Sequence, residues 1–208
     1  MGSVASIPTD PSQEVQVISA GYSRTGTAIL HGGTQILVRD DDYCATWIGA
    51  YQARNAGDRE RTLKLVRRAT AGFVATADLP PADFMPEMME LYPDAKWRNI
   101  AALTTWTTPW WLGFVTAPIP GWRYLPSFAR EYSRSTQQLA GVTGKTDSLS
   151  ELIKSGGPHI LQAHCDKVRA LVPTGQLLEM DLSQGWEPLY RFLDVPILDE
   201  PFPRVNDA

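Results

Sequence analysis

The sequence predicts an α/β domain of three layers, a P-loop-type parallel sheet flanked by helices, with the sheet reduced in strand number. Three observations predict it. The apolar run Val15-Gln16-Val17-Ile18-Ser19-Ala20 leads directly into Gly21-Tyr22-Ser23-Arg24-Thr25-Gly26-Thr27. Strand-like and helix-like segments then alternate, which is the pattern of a parallel sheet with helical crossovers. Only three segments read convincingly as strands, whereas parallel sheets usually bury several between their helices.

The elements follow in chain order. Residues 1–13 are polar, with Pro8 and Pro11, and read as a flexible N-terminal tail. Residues 14–208 read as one domain, long enough to bury a core. In the loop after the first strand, glycine lets the backbone come close to an anion, and successive N–H groups can point at it. The spacing is that of a phosphate-binding loop, with Thr27 where a nucleotide hydrolase carries lysine and Arg24 as the cation inside the loop. A helix could start at Thr27, but Gly32-Gly33 stops it within about one turn.

Residues 40–55 and 58–71 read as helices. The second places Leu63, Val66 and Ala69/Thr70 on one face, and its arginines on a solvated face. Gly72-Phe73-Val74-Ala75-Thr76 reads as a strand. A helix is expected from about Pro81, a residue type suited to a first turn, through Phe84, Met88, Met89 and Leu91, with the methionines as core packing. Residues 104–128 interleave Trp106, Trp110, Trp111, Phe114, Trp122, Tyr124 and Phe128 with four prolines, which prevent a continuous helix. That segment reads equally as a wall over an apolar acceptor or as a buried loop on the core. Residues 146–154 and 158–171 look helical, Gln176 to Met180 reads as a buried strand, and Trp186 to Leu193 as a last helix.

Composition narrows the function classes. With 43% apolar and 20% charged residues the balance is globular, and a net charge of −4 argues against a nucleic-acid partner. Cys44 and Cys165 make neither a disulfide framework nor a metal knuckle, so a reducing, cytoplasmic setting is the simplest expectation. His31, His159 and His164 lack metal-ligand spacing, and no metal is expected. No stretch approaches the ~18 apolar residues of a membrane span, and no secretory signal is expected. Met1-Gly2-Ser3-Val4-Ala5-Ser6 matches the loose myristoylation pattern, as does many an ordinary polar tail.

Taken together, several landmarks resemble the fungal sulfotransferase-like family. They are Gly21 to Thr27, His31-Gly32-Gly33-Thr34-Gln35-Ile36-Leu37, Thr70-Ala71-Gly72-Phe73, and Met89-Glu90-Leu91-Tyr92-Pro93-Asp94-Ala95-Lys96. Thr108-Pro109-Trp110-Trp111, Gly185-Trp186-Glu187-Pro188-Leu189 and Pro201-Phe202-Pro203-Arg204-Val205-Asn206 complete the set. The resemblance implies the sulfuryl donor PAPS, gripped by its 5′-phosphosulfate. The binding residues it implies are Gly21, Ser23, Arg24, Thr25, Gly26 and Thr27. It also places Asp78, in Asp78-Leu79-Pro80, where many relatives carry a histidine as general base. A carboxylate within reach of an acceptor hydroxyl can take its proton. The competing reading makes Asp78 the N-cap of the helix near Pro81.

Two departures from the family pattern read as internal deletions. Almost no room is left for a helix between Leu30 and His31-Gly32-Gly33. After Ala95-Lys96 the family's apolar strand, Arg-Asp-Pro turn and tryptophan-containing helix are missing, replaced by Trp97-Arg98-Asn99-Ile100. The missing turn carries the arginine for the donor's 3′-phosphate, so that subsite is expected to be missing; Arg98 could partly substitute, but nothing in the sequence requires it to. An altered gene model and real divergence would both produce such gaps.

The expected function is therefore sulfotransferase-like transfer to the hydroxyl of a small, apolar or aromatic acceptor in secondary-metabolite biosynthesis, with impaired PAPS binding. The alternatives are a PAPS-independent tailoring enzyme (cyclase, dehydratase or isomerase) and a non-catalytic accessory protein on the same scaffold. A homodimer is compatible with either.

Overall fold

The computed structural model describes Pro8 and residues 10–20, 41–77, 79–99, 118–119, 122–140 and 162–197. Its centre is a sheet of four parallel strands: β1 (Val17–Ser19), β2 (Ala75–Ala77), β3 (Lys96–Asn99) and β4 (Leu177–Glu179), in the order β2-β1-β3-β4. Six helices belong to the described residues: α1 (Asp41–Asn55), α2 (Arg59–Thr70), α3 (Met85–Leu91), α4 (Leu125–Ala140), α5 (residues 162–171) and α6 (Glu187–Leu193).

Register assigns the side chains to two faces. Ile18 pairs with Thr76 and Trp97, and Trp97 with Leu177. That face meets Trp47, Tyr51, Phe84, Met85, Met88 and Val168 in the main core. The opposite face carries Ser19, Arg98 and Leu178. Leu178 packs with Met180, Leu189, Trp186 and Leu193 under α6, whose Phe192 carbonyl accepts a hydrogen bond from Lys96 Nζ at 2.8 Å. Helices on both faces of a parallel sheet make the three-layer arrangement that the strand–helix alternation predicts.

Local chemistry explains the helices. Asp58 caps α2, its Oδ1 accepting from the Arg61 amide at 3.1 Å. Val66, Ala69 and Thr70 of α2 are buried and Leu63 is half-buried, while Arg59, Arg67 and Arg68 are more than half exposed. Their partners include the exposed carboxylates Asp42 for Arg68, Glu14 for Arg67 and Glu90 for Arg59, which fits the solvated face read from the sequence, while Arg59 also reaches the buried Glu87. Met85 and Met88 are enclosed in the core. Beneath this layer, Gly72 has φ +79° and its N–H donates to the Gln13 carbonyl, so the segment at residues 8–13 lies directly against the turn.

Four expectations change. The strand read as missing from the middle of the sheet is present: Lys96–Asn99 pairs with β1 on one side and β4 on the other. Lys-Trp-Arg-Asn carries one apolar residue and no β-branched one, so pairing on both sides, rather than propensity, makes it a strand. The helix expected from Pro81 divides into a 3-10 turn, Pro81–Asp83, and α3, with Pro80 at the N-cap position of the turn and Phe84 at that of α3. β4 is only half-buried, as an edge strand. Finally, α4 occupies a stretch without a helical expectation. Its Phe128 and Tyr132 stack at 6.3 Å and flank Tyr51, so Phe128 is core packing rather than an open wall. Residues 101–117, 146–154 and the gap between Leu30 and His31 lie outside the described residues.

Candidate functional site

In a parallel sheet every strand ends at the same edge, and ligands bind outside those carboxyl ends. Here Ser19 is the register partner of both Ala77 and Arg98. The chain therefore leaves β1 toward residue 21 and leaves β2 toward residue 78 from adjacent strands, about 4.8 Å apart. Gly21, Ser23, Arg24, Thr25, Gly26, Thr27 and Asp78 themselves lie outside the described residues. What the fold brings together is the two places from which they depart.

Ala20, the last described residue before the loop, is held from two sides. Its N–H donates to the Arg98 carbonyl at 2.8 Å. Its carbonyl lies 2.7 Å from Nε2 of His164 on α5. A carbonyl only accepts, so that nitrogen carries the proton. His164 is buried, one helical turn before the core residue Val168. Burial lowers its pKa, with the Ala20 bond and the Asp83 charge opposing this, so the ring is neutral at pH 7.

On the opposite face, Arg98 Nη2 donates to Ser19 Oγ at 3.2 Å. Both residues are fully enclosed. Burial pushes the guanidinium down to about 10, which still leaves it charged at neutral pH. This cation stands at the carboxyl edge, beside the strand that feeds the loop. A charge in a low-dielectric setting is weakly screened and favours an anion nearby.

The segment beyond residue 78 is anchored by a second buried group. Arg54 of α1 donates from Nη1 to the Asp83 carbonyl at 2.8 Å and from Nη2 to Asp83 Oδ2 at 2.7 Å. It also bonds Ser135 Oγ of α4, and its guanidinium lies 4.0 Å from the Phe84 ring centroid. Burial disfavours the Arg54 cation, but Asp83 and Tyr51 beside it more than offset this and hold its pKa above the ordinary value. Burial likewise raises Tyr51 well above a normal phenol, with Asp83 adding to the effect. Asp83 is thus fixed through both its main chain and its side chain, five residues after Asp78.

None of Arg54, Asp83 or His164 was legible as a site residue. Arg54 and Asp83 meet across 29 positions, and His164 and Ala20 across 144. Among the described residues no group of three His, Cys, Asp or Glu could hold a metal ion, and no helix is long and apolar enough to cross a membrane. Cys44 and Cys165 are buried in the interior.

The model of the family described as Sulfotransferase domain matches residues 16–208. A protein of Aspergillus versicolor, described as Ava biosynthesis cluster protein M, is 29% identical over 215 residues, covering 92% of this chain and 80% of that protein.

Proposed function

This chain belongs to the sulfotransferase domain family, and on that premise we propose that it transfers a sulfuryl group from PAPS to the hydroxyl of a small apolar or aromatic acceptor in secondary-metabolite biosynthesis. The observation that carries the reading is the register of Ser19 with Ala77. It sets the departure points of the glycine loop and of Asp78 on neighbouring strands at one edge. A donor anion and an acceptor hydroxyl must meet at such an edge.

The donor set fits a polyanion. The loop Gly21–Thr27 would supply backbone amides, with Ser23, Thr25 and Thr27 hydroxyls and the Arg24 cation, and the enclosed Arg98 adds positive field beneath it. Bound PAPS supplies an activated sulfuryl group. Asp78 takes the proton from the acceptor hydroxyl, and the loop amides with Arg24 stabilise the negative charge left on the donor's phosphate. The cluster name of the fungal relative supports a secondary-metabolite setting.

The test is radiolabelled transfer from PAPS to a panel of phenols and aliphatic alcohols, with Asp78→Ala and Arg24→Ala beside the wild type. Transfer by the wild type, reduced 100-fold or more in Asp78→Ala, is the expected result. A wild type that transfers nothing, yet converts a pathway intermediate without PAPS, would replace this reading by a PAPS-independent cyclase, dehydratase or isomerase. Inactivity in both assays would leave an accessory protein on the same scaffold.

A further inference from the structure

We propose that His164 is a positioning residue for the donor loop: by donating from Nε2 to the Ala20 carbonyl it fixes the direction in which the chain leaves β1 for Gly21. The inference rests on the reading of residues 21–27 as the anion-binding loop. On either side of β1, backbone groups bond to neighbouring segments; the Gln16 carbonyl accepts from the Lys96 amide and the Ala20 N–H donates to the Arg98 carbonyl. At the Ala20 carbonyl the hydrogen-bond donor is instead a side chain brought in from another helix.

That choice has a physical consequence. The peptide plane between residues 20 and 21 is rigid, so holding the Ala20 oxygen holds the orientation of the next N–H as well. A loop that binds an anion through backbone amides depends on those orientations being set before the ligand arrives. Glycine at position 21 offers no Cβ to restrict the backbone itself, so a restraint on the preceding carbonyl carries more weight there. His164 can provide it because it is not free to move: it sits one turn from Val168 on the face of α5 that enters the core, and it is 8% exposed. It is also positioned in charge terms. The carboxylate of Asp83 and the half-buried ammonium of Lys167 act on it in opposite directions.

A purely structural histidine would stabilise the whole fold; a positioning one acts locally on the loop. Hydrogen–deuterium exchange on the full chain separates the two, and it needs no ligand. The variants are His164→Leu, which removes the donor, and His164→Gln, whose Nε2 amide can replace it. The expected result for His164→Leu is a cooperative melt with exchange in peptides covering residues 21–30 accelerated about tenfold. Peptides covering residues 177–193 should stay within twofold of wild type, and His164→Gln should restore most of the loop protection. In calorimetric titration with 3′-phosphoadenosine 5′-phosphate (PAP), His164→Leu should bind about tenfold more weakly and His164→Gln within threefold of wild type.

Unchanged exchange at residues 21–30 in His164→Leu overturns the proposal, as does acceleration spread equally over both regions. Should His164→Leu fail to fold, His164→Gln decides: wild-type exchange in the loop supports positioning by the donor, and acceleration there contradicts it. If wild-type protein binds no PAP, the donor-loop reading fails on its own, while the exchange comparison still decides whether His164 orders residues 21–30.

Discussion

Removing the Arg54 guanidinium while leaving Asp83 in place tests the account of the buried layer beneath the site. In Arg54→Met the Asp83 carboxylate, whose side chain is 3% exposed, loses the donor at 2.7 Å on Oδ2, and its main-chain carbonyl loses the donor at 2.8 Å. Breaking a buried pair from one side typically costs about 3–5 kcal/mol, because the remaining charge is left desolvated. The Lys167 ammonium stands in the field of Asp83 and offsets part of this, so the lower end applies, about 3 kcal/mol. For a chain of this size each kcal/mol lowers Tm by about 2–4 °C, which gives a fall of about 9 °C. In Arg54→Met/Asp83→Leu no charge is stranded, and the loss should shrink to about 1–2 kcal/mol. Thermal and urea melts of the two single variants and the double variant make the measurement. A double variant as unstable as the sum of the singles, or an Arg54→Met Tm within 2 °C of wild type, would refute the reasoning.

Three further outcomes follow from the same packing. Gly72→Ala should lose about 2 kcal/mol in urea midpoint analysis, because φ is +79° and a Cβ would stand 2.7 Å from Pro8 Cβ and 3.0 Å from the Asp10 carbonyl oxygen; a loss under about 0.5 kcal/mol would show that residues 8–13 do not hold against that turn. Met88→Ala, at a fully enclosed core position, should cost about 2–5 kcal/mol, with the higher values if the cavity stays open. His164 titrates below its ordinary value of 6.5 in the folded chain because burial disfavours its charged form. The unfolded chain therefore takes up the proton first as pH falls, and stability should drop from about pH 6.5 downward; His164→Gln should flatten that part of a Tm-against-pH curve, and an unchanged slope would contradict the assignment.

The sequence was most readable where local chemistry and tertiary setting agree. The run Val15 to Ala20 contains β1, the strand read over Gly72 to Thr76 overlaps β2 at Ala75 and Thr76, and the helix read over 58–71 with Leu63, Val66 and Ala69/Thr70 on one face contains α2. β3 was not readable, since Lys96, Arg98 and Asn99 look like a polar loop and become a strand only by pairing on both sides. The start of α4 was hidden by the proline-rich aromatic stretch, although Phe128, Tyr132 and Ser135, spaced four and three apart and all buried, carried a helical period. At the site, the glycine loop and Asp78 were visible as motifs because their spacing is local. Their supports were not: Arg54, Asp83, Arg98 and His164 acquire meaning only through contacts between distant segments, and a histidine searched for metal spacing gives no hint that it binds a backbone carbonyl.

The most direct test of the central claim is isothermal titration of the wild type and Arg24→Ala with PAP. The account predicts one site per chain for the wild type, a Tm that rises with ligand as linkage requires, and binding weakened at least tenfold in Arg24→Ala. No heat and no Tm shift at millimolar PAP would contradict it.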